Sequence, residues 1–157
     1  ATRGLADDVD ATLAECSLKL GDGPGAANMY MQVLERTEEK HVEALVGYGK
    51  LAILVNQVDK GVQSLLKAII TDQGHKETRK VMAQALGMPV GMATLRQQVA
   101  PTPDSASVYS FLSTVCKDHG EIEASIELLK VAASIDPRNA SSALGLVHGH
   151  EIAGDYG

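Results

Sequence analysis

The sequence of 157 residues is poor in aromatic side chains, with no tryptophan, one phenylalanine and four tyrosines. Since β-strands favour aromatic and β-branched residues, this shortage favours helices. The sequence also lacks any run of about eighteen apolar residues, so we expect no transmembrane helix. The hydrophobic fraction of 45% and the charged fraction of 22% are those of an ordinary globular chain and argue against intrinsic disorder.

Basic residues are fewer than acidic ones, 14 against 20, and the formal net charge is −6. The charges are dispersed, and no basic run occurs. Because nucleic-acid-binding proteins and membrane-surface helices usually carry a clustered basic patch, we expect neither kind of partner.

Cysteines are scarce, and the two present, Cys16 and Cys116, are far apart in the sequence. They form no CxxC motif and no metal-ligand spacing, so a disulfide framework is not predicted. This usage favours a reducing, intracellular compartment, the cytoplasm, with the nucleus left open. The chain begins without Met and without the apolar segment of a signal peptide, and we expect it to be part of a longer protein.

Apolar residues recur at three- and four-residue steps and predict nine helices, arranged in pairs and separated by Gly, Pro and Asp turns. No convincing strand pattern is present, so the predicted class is all-α. Pro24 is expected as the first residue of the second helix, Asp59 at the N-cap of the fourth, and Gly120 after the end of the seventh. The predicted inner face of the first helix is the stripe Leu5, Val9, Leu13, Cys16 and Leu20.

The helix pairs recur at a nearly constant spacing. From Ala11, steps of 34, 34, 30 and 34 residues lead to Leu45, Arg79, Tyr109 and Ala143. Around these positions small residues alternate with large ones in a common order, as in Tyr48-Gly49, Leu112-Ser113 and Leu129-x2-Ala132. Residues 126–139 then contain the small residues Ala132, Ala133 and Ser134 shortly before Asp136-Pro137. This pattern resembles the tetratricopeptide repeat family, whose unit is a helix–turn–helix of about 34 residues.

The resemblance covers the whole chain and implies a right-handed helical-repeat solenoid of about four and a half repeats. The repeats would span residues 8–41, 42–75, 76–105, 106–139 and 140–157. The third is degenerate and four residues short, with Arg79 where a large apolar residue belongs, which predicts a kink or irregular stacking near residues 87–103. The fifth is incomplete. An ordinary helical bundle without repeats is the alternative.

No catalytic constellation is recognisable. The loop Gly21–Gly25 precedes a helix, as phosphate loops do, but it follows no strand and no Gly-Lys-Ser/Thr comes after it, so it is interpreted as a turn. His148 and His150 are two positions apart on a predicted helix and point to different sides, which does not suit a metal ion. Neither cysteine has an activating neighbour. We therefore predict no enzyme, no cofactor and no metal.

In the family that this chain resembles, the first helix of each pair lines a concave groove, and ligands usually lie there. An i, i+3, i+7 spacing selects one exposed face on each of these helices. The predicted binding residues are Glu43, Val46, Lys50, Glu77, Lys80, Gln84, Ser107, Ser110, Thr114, Leu144 and His148, and Val9, Thr12, Cys16 and Ser141 share their surface.

The expected function is a protein-interaction scaffold that binds a peptide or a partner helix in this groove. Family members that bind chaperones hold a C-terminal carboxylate with two Lys, two Asn and one Arg. Only Lys80 matches that set, so chaperone tails are not expected partners. The alternative is a regulatory or substrate-docking repeat region of a larger enzyme, and self-association through the ends of the array stays open.

Overall fold

The structure is a computed structural model that describes residues 2–137, with side chains from residue 5 onward. In this part of the chain there are eight α-helices, one short 3-10 turn at Pro103–Ser105 and no strand, which confirms the all-α class. The ninth predicted helix, near residues 140–152, lies outside the described residues. In chain order the helices are α1 (Thr2–Lys19), α2 (Gly23–Arg36), α3 (Val42–Leu54), α4 (Val58–Thr71), α5 (Lys76–Leu86), α6 (Pro89–Gln98), α7 (Ala106–Asp118) and α8 (Ile122–Ile135).

Consecutive helices pack as pairs, α1 with α2, α3 with α4 and α7 with α8, so the fold is a helical repeat. The chain divides into two units, the first ending at Val81 and the second beginning at Met82, within α5. In the first unit α3 also packs against both α1 and α2. In the second, α7 and α8 both contact the 3-10 turn. No helix among residues 2–137 is both long and apolar enough to cross a membrane.

The turns between paired helices follow local signals in the sequence. Pro24 lies in the first turn of α2, where Asp22 accepts a hydrogen bond from the backbone N–H of Gly25 at 3.0 Å. Gly120 ends α7 with a φ of +81°, a conformation that glycine adopts without strain. The prediction for Gly120 is confirmed, and Pro24 is the second residue of α2, one position later than predicted. The expected cap Asp59 is wrong, because α4 begins at Val58 and Asp59 lies inside its first turn, where a carboxylate interacts favourably with the helix dipole.

Small residues set the distance between the helices of a pair. In the second repeat Gly49 and Gly61 bring α3 and α4 so close that a Cβ on Gly61 would lie 3.1 Å from the carbonyl oxygen of Gly49. The equivalent positions 64 residues later are Ser113 and Ser125. Their buried hydroxyls lie 2.9 Å apart, and Ser113 also donates to the carbonyl of Ser125 at 3.0 Å. The repeat therefore conserves the close crossing of its helices with two different residue pairs.

The predicted inner face of α1 is wrong. Leu5, Val9 and Leu13 are about half exposed or more, and Leu20 is 86% exposed. The buried face consists of Asp7, Ala11 and Ala14. The alanines let the α1 backbone approach its neighbours closely, and Asp7 is buried because Arg36 of α2 donates a hydrogen bond to it at 2.9 Å. Met31, Val55, Ile70 and Val108 are also exposed, although each is apolar.

The shortening of the third repeat is visible in its helices. Helix α6 has ten residues, whereas α2, α4 and α8 have fourteen each. Only Gly87 and Met88 separate α5 from α6, and a Cβ on Gly91 would lie 1.8 Å from the carbonyl oxygen of Ala85. This tight turn requires glycine at position 91. The shortening thus falls mainly on the second helix, and Arg79, at the position of a large apolar residue, is partly buried on α5.

Candidate functional site

Five of the predicted binding residues, Glu43, Val46, Lys50, Glu77 and Lys80, lie on α3 and on the part of α5 that belongs to the first unit. Glu43 and Lys80 are exposed, and Lys50 and Glu77 are partly exposed. The ammonium group of Lys50 on α3 forms an ion pair with the carboxylate of Glu77 on α5. The hydrogen bond from Lys50 is the main cause that lowers the pKa of Glu77, and the nearby charge of Lys80 acts in the same direction. The structure therefore brings Lys50, Glu77 and Lys80 together.

Glu43 lies between two histidines that the sequence analysis did not single out. Its carboxylate is 3.7 Å from Nδ1 of His41 and 3.8 Å from Nε2 of His75. The two histidines are one repeat apart and play the same role, because Nδ1 of each accepts a backbone N–H three residues later, at the start of α3 and of α5. The recurrence of His-x-Glu at residues 41–43 and 75–77 is the sequence signal that could have found them.

Val46 was expected to be exposed, and that expectation is wrong. Its side chain is only 3% exposed. Helix α3 packs against α1, α2 and α4 together, so its neighbours cover a wider arc than the i, i+3, i+7 spacing assumes. Seven of its thirteen residues are buried. A ligand on this surface would meet Glu43 and Lys50 instead of Val46.

A cavity of about 280 Å³ opens between α1 and α3 of the first unit. We call it the acidic cavity, because three carboxylates contribute to its wall. Nε2 of His41 lies 2.7 Å from the carboxylate of Asp8, and the hydroxyl of Thr12 donates to the backbone carbonyl of Asp8 at 2.9 Å. The residues that line it are Asp8, Ala11, Thr12, Glu15, Tyr30, His41 and Glu43.

Tyr30 reaches the acidic cavity from the second helix of the first pair. Its side chain is 2% exposed, and its ring lies against the backbone of Gly47, where no side chain is present. Burial is the main cause that raises the pKa of Tyr30 to about 12, and the negative charges of Glu15 and of the Cys16 thiolate add to this effect. The phenol is therefore neutral at physiological pH. It can donate or accept a hydrogen bond.

The predicted residues of the second unit lie on the second part of α5 and on α7. Gln84, Ser107 and Thr114 are exposed and Ser110 is partly exposed. The hydroxyl of Thr114 donates to the carbonyl of Ser110 at 3.3 Å, so these two residues lie one turn apart on one face of α7. Leu144, His148 and Ser141 lie outside the described residues.

The part of the chain that the structure describes contains no group of three His, Cys, Asp or Glu side chains that could hold a metal ion. Cys116 is fully buried, and burial raises the pKa of its thiol to about 12, with the charge of Glu121 as the smaller cause. A thiol with so high a pKa is a poor nucleophile at neutral pH. His150 also lies outside the described residues.

Comparison with known proteins gives similarities at the level of fold. No protein-family model matches the sequence, and no curated protein does. A crystal structure of MamA is 22% identical, with a TM-score of 0.48, over 96% of this chain and 84% of that one. MamA from Desulfovibrio magneticus RS-1 is 18% identical, with a TM-score of 0.44, over 95% and 86%. The helical-repeat fold rests on the helix pairs of this chain and on its repeat spacing.

Proposed function

We propose that the protein is an interaction scaffold and binds an extended peptide or a partner helix on its first-helix surface, meaning the exposed side chains of α1, of α3 and of the part of α5 that belongs to the first unit. The observation that carries the proposal is the set of partly exposed charged side chains on α3 and α5, joined by the Lys50–Glu77 ion pair. These residues occupy the helix positions at which the repeat spacing predicts contacts with a ligand. The tetratricopeptide family uses this surface for protein partners, and extended faces of this kind are what helical repeats supply.

A ligand can replace one member of the Lys50–Glu77 ion pair on this surface. Both members of the Lys50–Glu77 pair keep more than a third of their side-chain surface exposed. Exposed ion pairs contribute at most about 1 kcal/mol, so a ligand can replace one partner at little cost. Polar main-chain and side-chain groups of an extended peptide would then find both a cation and an anion within reach.

The experiment that tests the proposal is selection of peptides from a random display library, followed by calorimetric titration of the selected peptides. Lys50→Ala and Lys80→Ala should each weaken binding up to about fivefold, the effect of one exposed charge contact. Lys60→Ala is the matched control, because Lys60 is an exposed lysine on α4, the second helix of the same pair as Lys50. Peptides that lose affinity with Lys60→Ala, and not with Lys50→Ala or Lys80→Ala, would overturn the proposal.

A further inference from the structure

The acidic cavity between α1 and α3 has an excess of negative charge. Asp8, Glu15 and Glu43 line it, and His41 is the only basic side chain in its wall. At the edge, Lys19 lies 3.5 Å from Glu15 along the exposed side of α1, and His75 lies 3.8 Å from Glu43. Three carboxylates therefore line a cavity whose wall contains no lysine and no arginine.

Tyr30 provides an independent sign of a ligand. Its side chain is almost completely buried, Tyr30 lines the cavity, and no described residue forms a hydrogen bond with its hydroxyl, which keeps some contact with solvent. The hydroxyl of a tyrosine this buried usually has a hydrogen-bond partner. Because Tyr30 lines the cavity and its ring lies against Gly47, a ligand in the cavity can supply the partner that the described residues do not.

We propose that the acidic cavity binds a basic side chain, the ammonium of a lysine or the guanidinium of an arginine, from the peptide that the first-helix surface binds; this rests on the proposed function. Asp8, Glu15 and Glu43 supply the opposite charge, and the hydroxyl of Tyr30 accepts a hydrogen bond from the bound cation. The hydroxyl of Thr12 donates to a backbone carbonyl, so its lone pairs are left to accept a second one.

The cavity selects the chemistry of its ligand. The three carboxylates would repel an anion. A metal ion is not favoured, because no three His, Cys, Asp or Glu side chains of the described part of the chain are close enough to hold one. An organic cation needs no such convergence, since its N–H groups point in several directions and can reach separated acceptors. The partner is therefore a peptide with a basic residue.

The test uses the whole protein and two small probes, N-acetyl-lysine amide and N-acetyl-arginine amide, in an NMR titration that follows the ring signals of residue 30. At least one probe should give a saturable shift at millimolar concentration. N-acetyl-norleucine amide, which matches the lysine chain without its charge, should give none. Tyr30→Phe keeps the ring that packs against Gly47 and removes only the hydroxyl, and it should weaken binding about tenfold, as expected for one hydrogen bond to a charged group.

Glu15→Gln and Glu43→Gln should each weaken binding of the same probe, whereas Glu123→Gln, an exposed glutamate on α8, should leave it unchanged. Unaltered thermal unfolding of each variant shows that the fold is kept. Equal shifts with norleucine amide, or none with either cation, would overturn the cavity proposal even if displayed peptides bind. If the cations bind in the cavity but the display library yields no binding peptide, the result would contradict the proposed function alone.

Discussion

The ring of Tyr30 occupies the space that the missing side chain of Gly47 leaves open. A Cβ on Gly47 would lie 2.2 Å from Cζ of Tyr30, far inside van der Waals contact. Tyr30 belongs to the second helix of one repeat and Gly47 to the first helix of the next, so this contact joins two repeats. One repeat later the sequence has Ser64 and Val81, both buried, so the sizes of the two residues are reversed.

Gly47→Ala should therefore destabilise the protein. The added methyl group overlaps a buried aromatic ring, and overpacking of this kind costs about 1–3 kcal/mol. Equilibrium urea unfolding of the variant and the parent protein measures the change in the free energy of unfolding. An effect below about 0.5 kcal/mol, the range of ordinary surface substitutions, would show that the ring can move aside.

The double variant Tyr30→Ser, Gly47→Val copies the residue pair of the next repeat. We expect it to lose less stability than the sum of the two single variants, because the smaller residue at position 30 makes room for the larger one at position 47. Residues in contact typically couple by about 0.5–3 kcal/mol. Strict additivity in the double-mutant cycle would argue against direct packing between them.

The turn between α5 and α6 gives a second stability test. In Gly91→Ala the new Cβ would meet the backbone carbonyl of Ala85 at 1.8 Å, and backbone cannot rotate away as a flexible side chain can. We expect a loss above about 2 kcal/mol in thermal or urea unfolding. Gly74→Ala is the matched control, since the nearest atom to its Cβ is 3.6 Å away and the effect should be small. Equal effects of the two substitutions would contradict the tight turn.

The ion pair between α3 and α5 predicts a pH dependence. Because Lys50 lowers the pKa of Glu77, the stabilisation is complete above the pKa of the unfolded chain and is lost as the pH falls through the lower folded value. Carboxyl NMR titration should find the Glu77 pKa below the ordinary value, and Lys50→Met should raise it towards that value. A Glu77 pKa that does not respond to Lys50→Met would show that the pair is not formed in solution.

The two cysteines should differ in reactivity. Cys16 is exposed, whereas Cys116 is fully buried with a pKa raised to about 12. At pH 8 a thiol reagent such as dithionitrobenzoate should modify Cys16 in the native protein and both cysteines in urea. A Cys16→Ser variant should then show no fast reaction in its native state. Fast modification of Cys116 in that variant would mean that α7 and α8 open more readily than their packing indicates.

The helices and their turns could be predicted because their signals are local: apolar periodicity, Pro24 in a first turn and Gly120 after a last one. The inner face of α1 could not be predicted from its most apolar stripe, because the close approach of its neighbours selects Ala11 and Ala14 instead of larger residues. The repeat register, which starts at Ala11, indicates the correct face. Hydrophobicity alone therefore misplaces a helix whose packing depends on small side chains.

The candidate site was predictable in part. The repeat spacing selects Glu43, Lys50, Glu77 and Lys80, and these residues lie on α3 and α5 with the Lys50–Glu77 pair between them. Tyr30 was not predictable as a site residue. It lies on a second helix, and it reaches the acidic cavity only because Gly47, in the next repeat, has no side chain. Such a relation depends on packing between distant residues and leaves no local pattern.

The central claim is that partners bind on the first helices of the pairs. The most direct measurement is an amide NMR titration of the whole protein with a peptide selected from the display library. We expect the largest shifts at Thr12, Glu43, Lys50 and Glu77, on α1, α3 and α5. Shifts confined to the second helices α2 and α4, around Met31 and Lys60 for example, would contradict the claim.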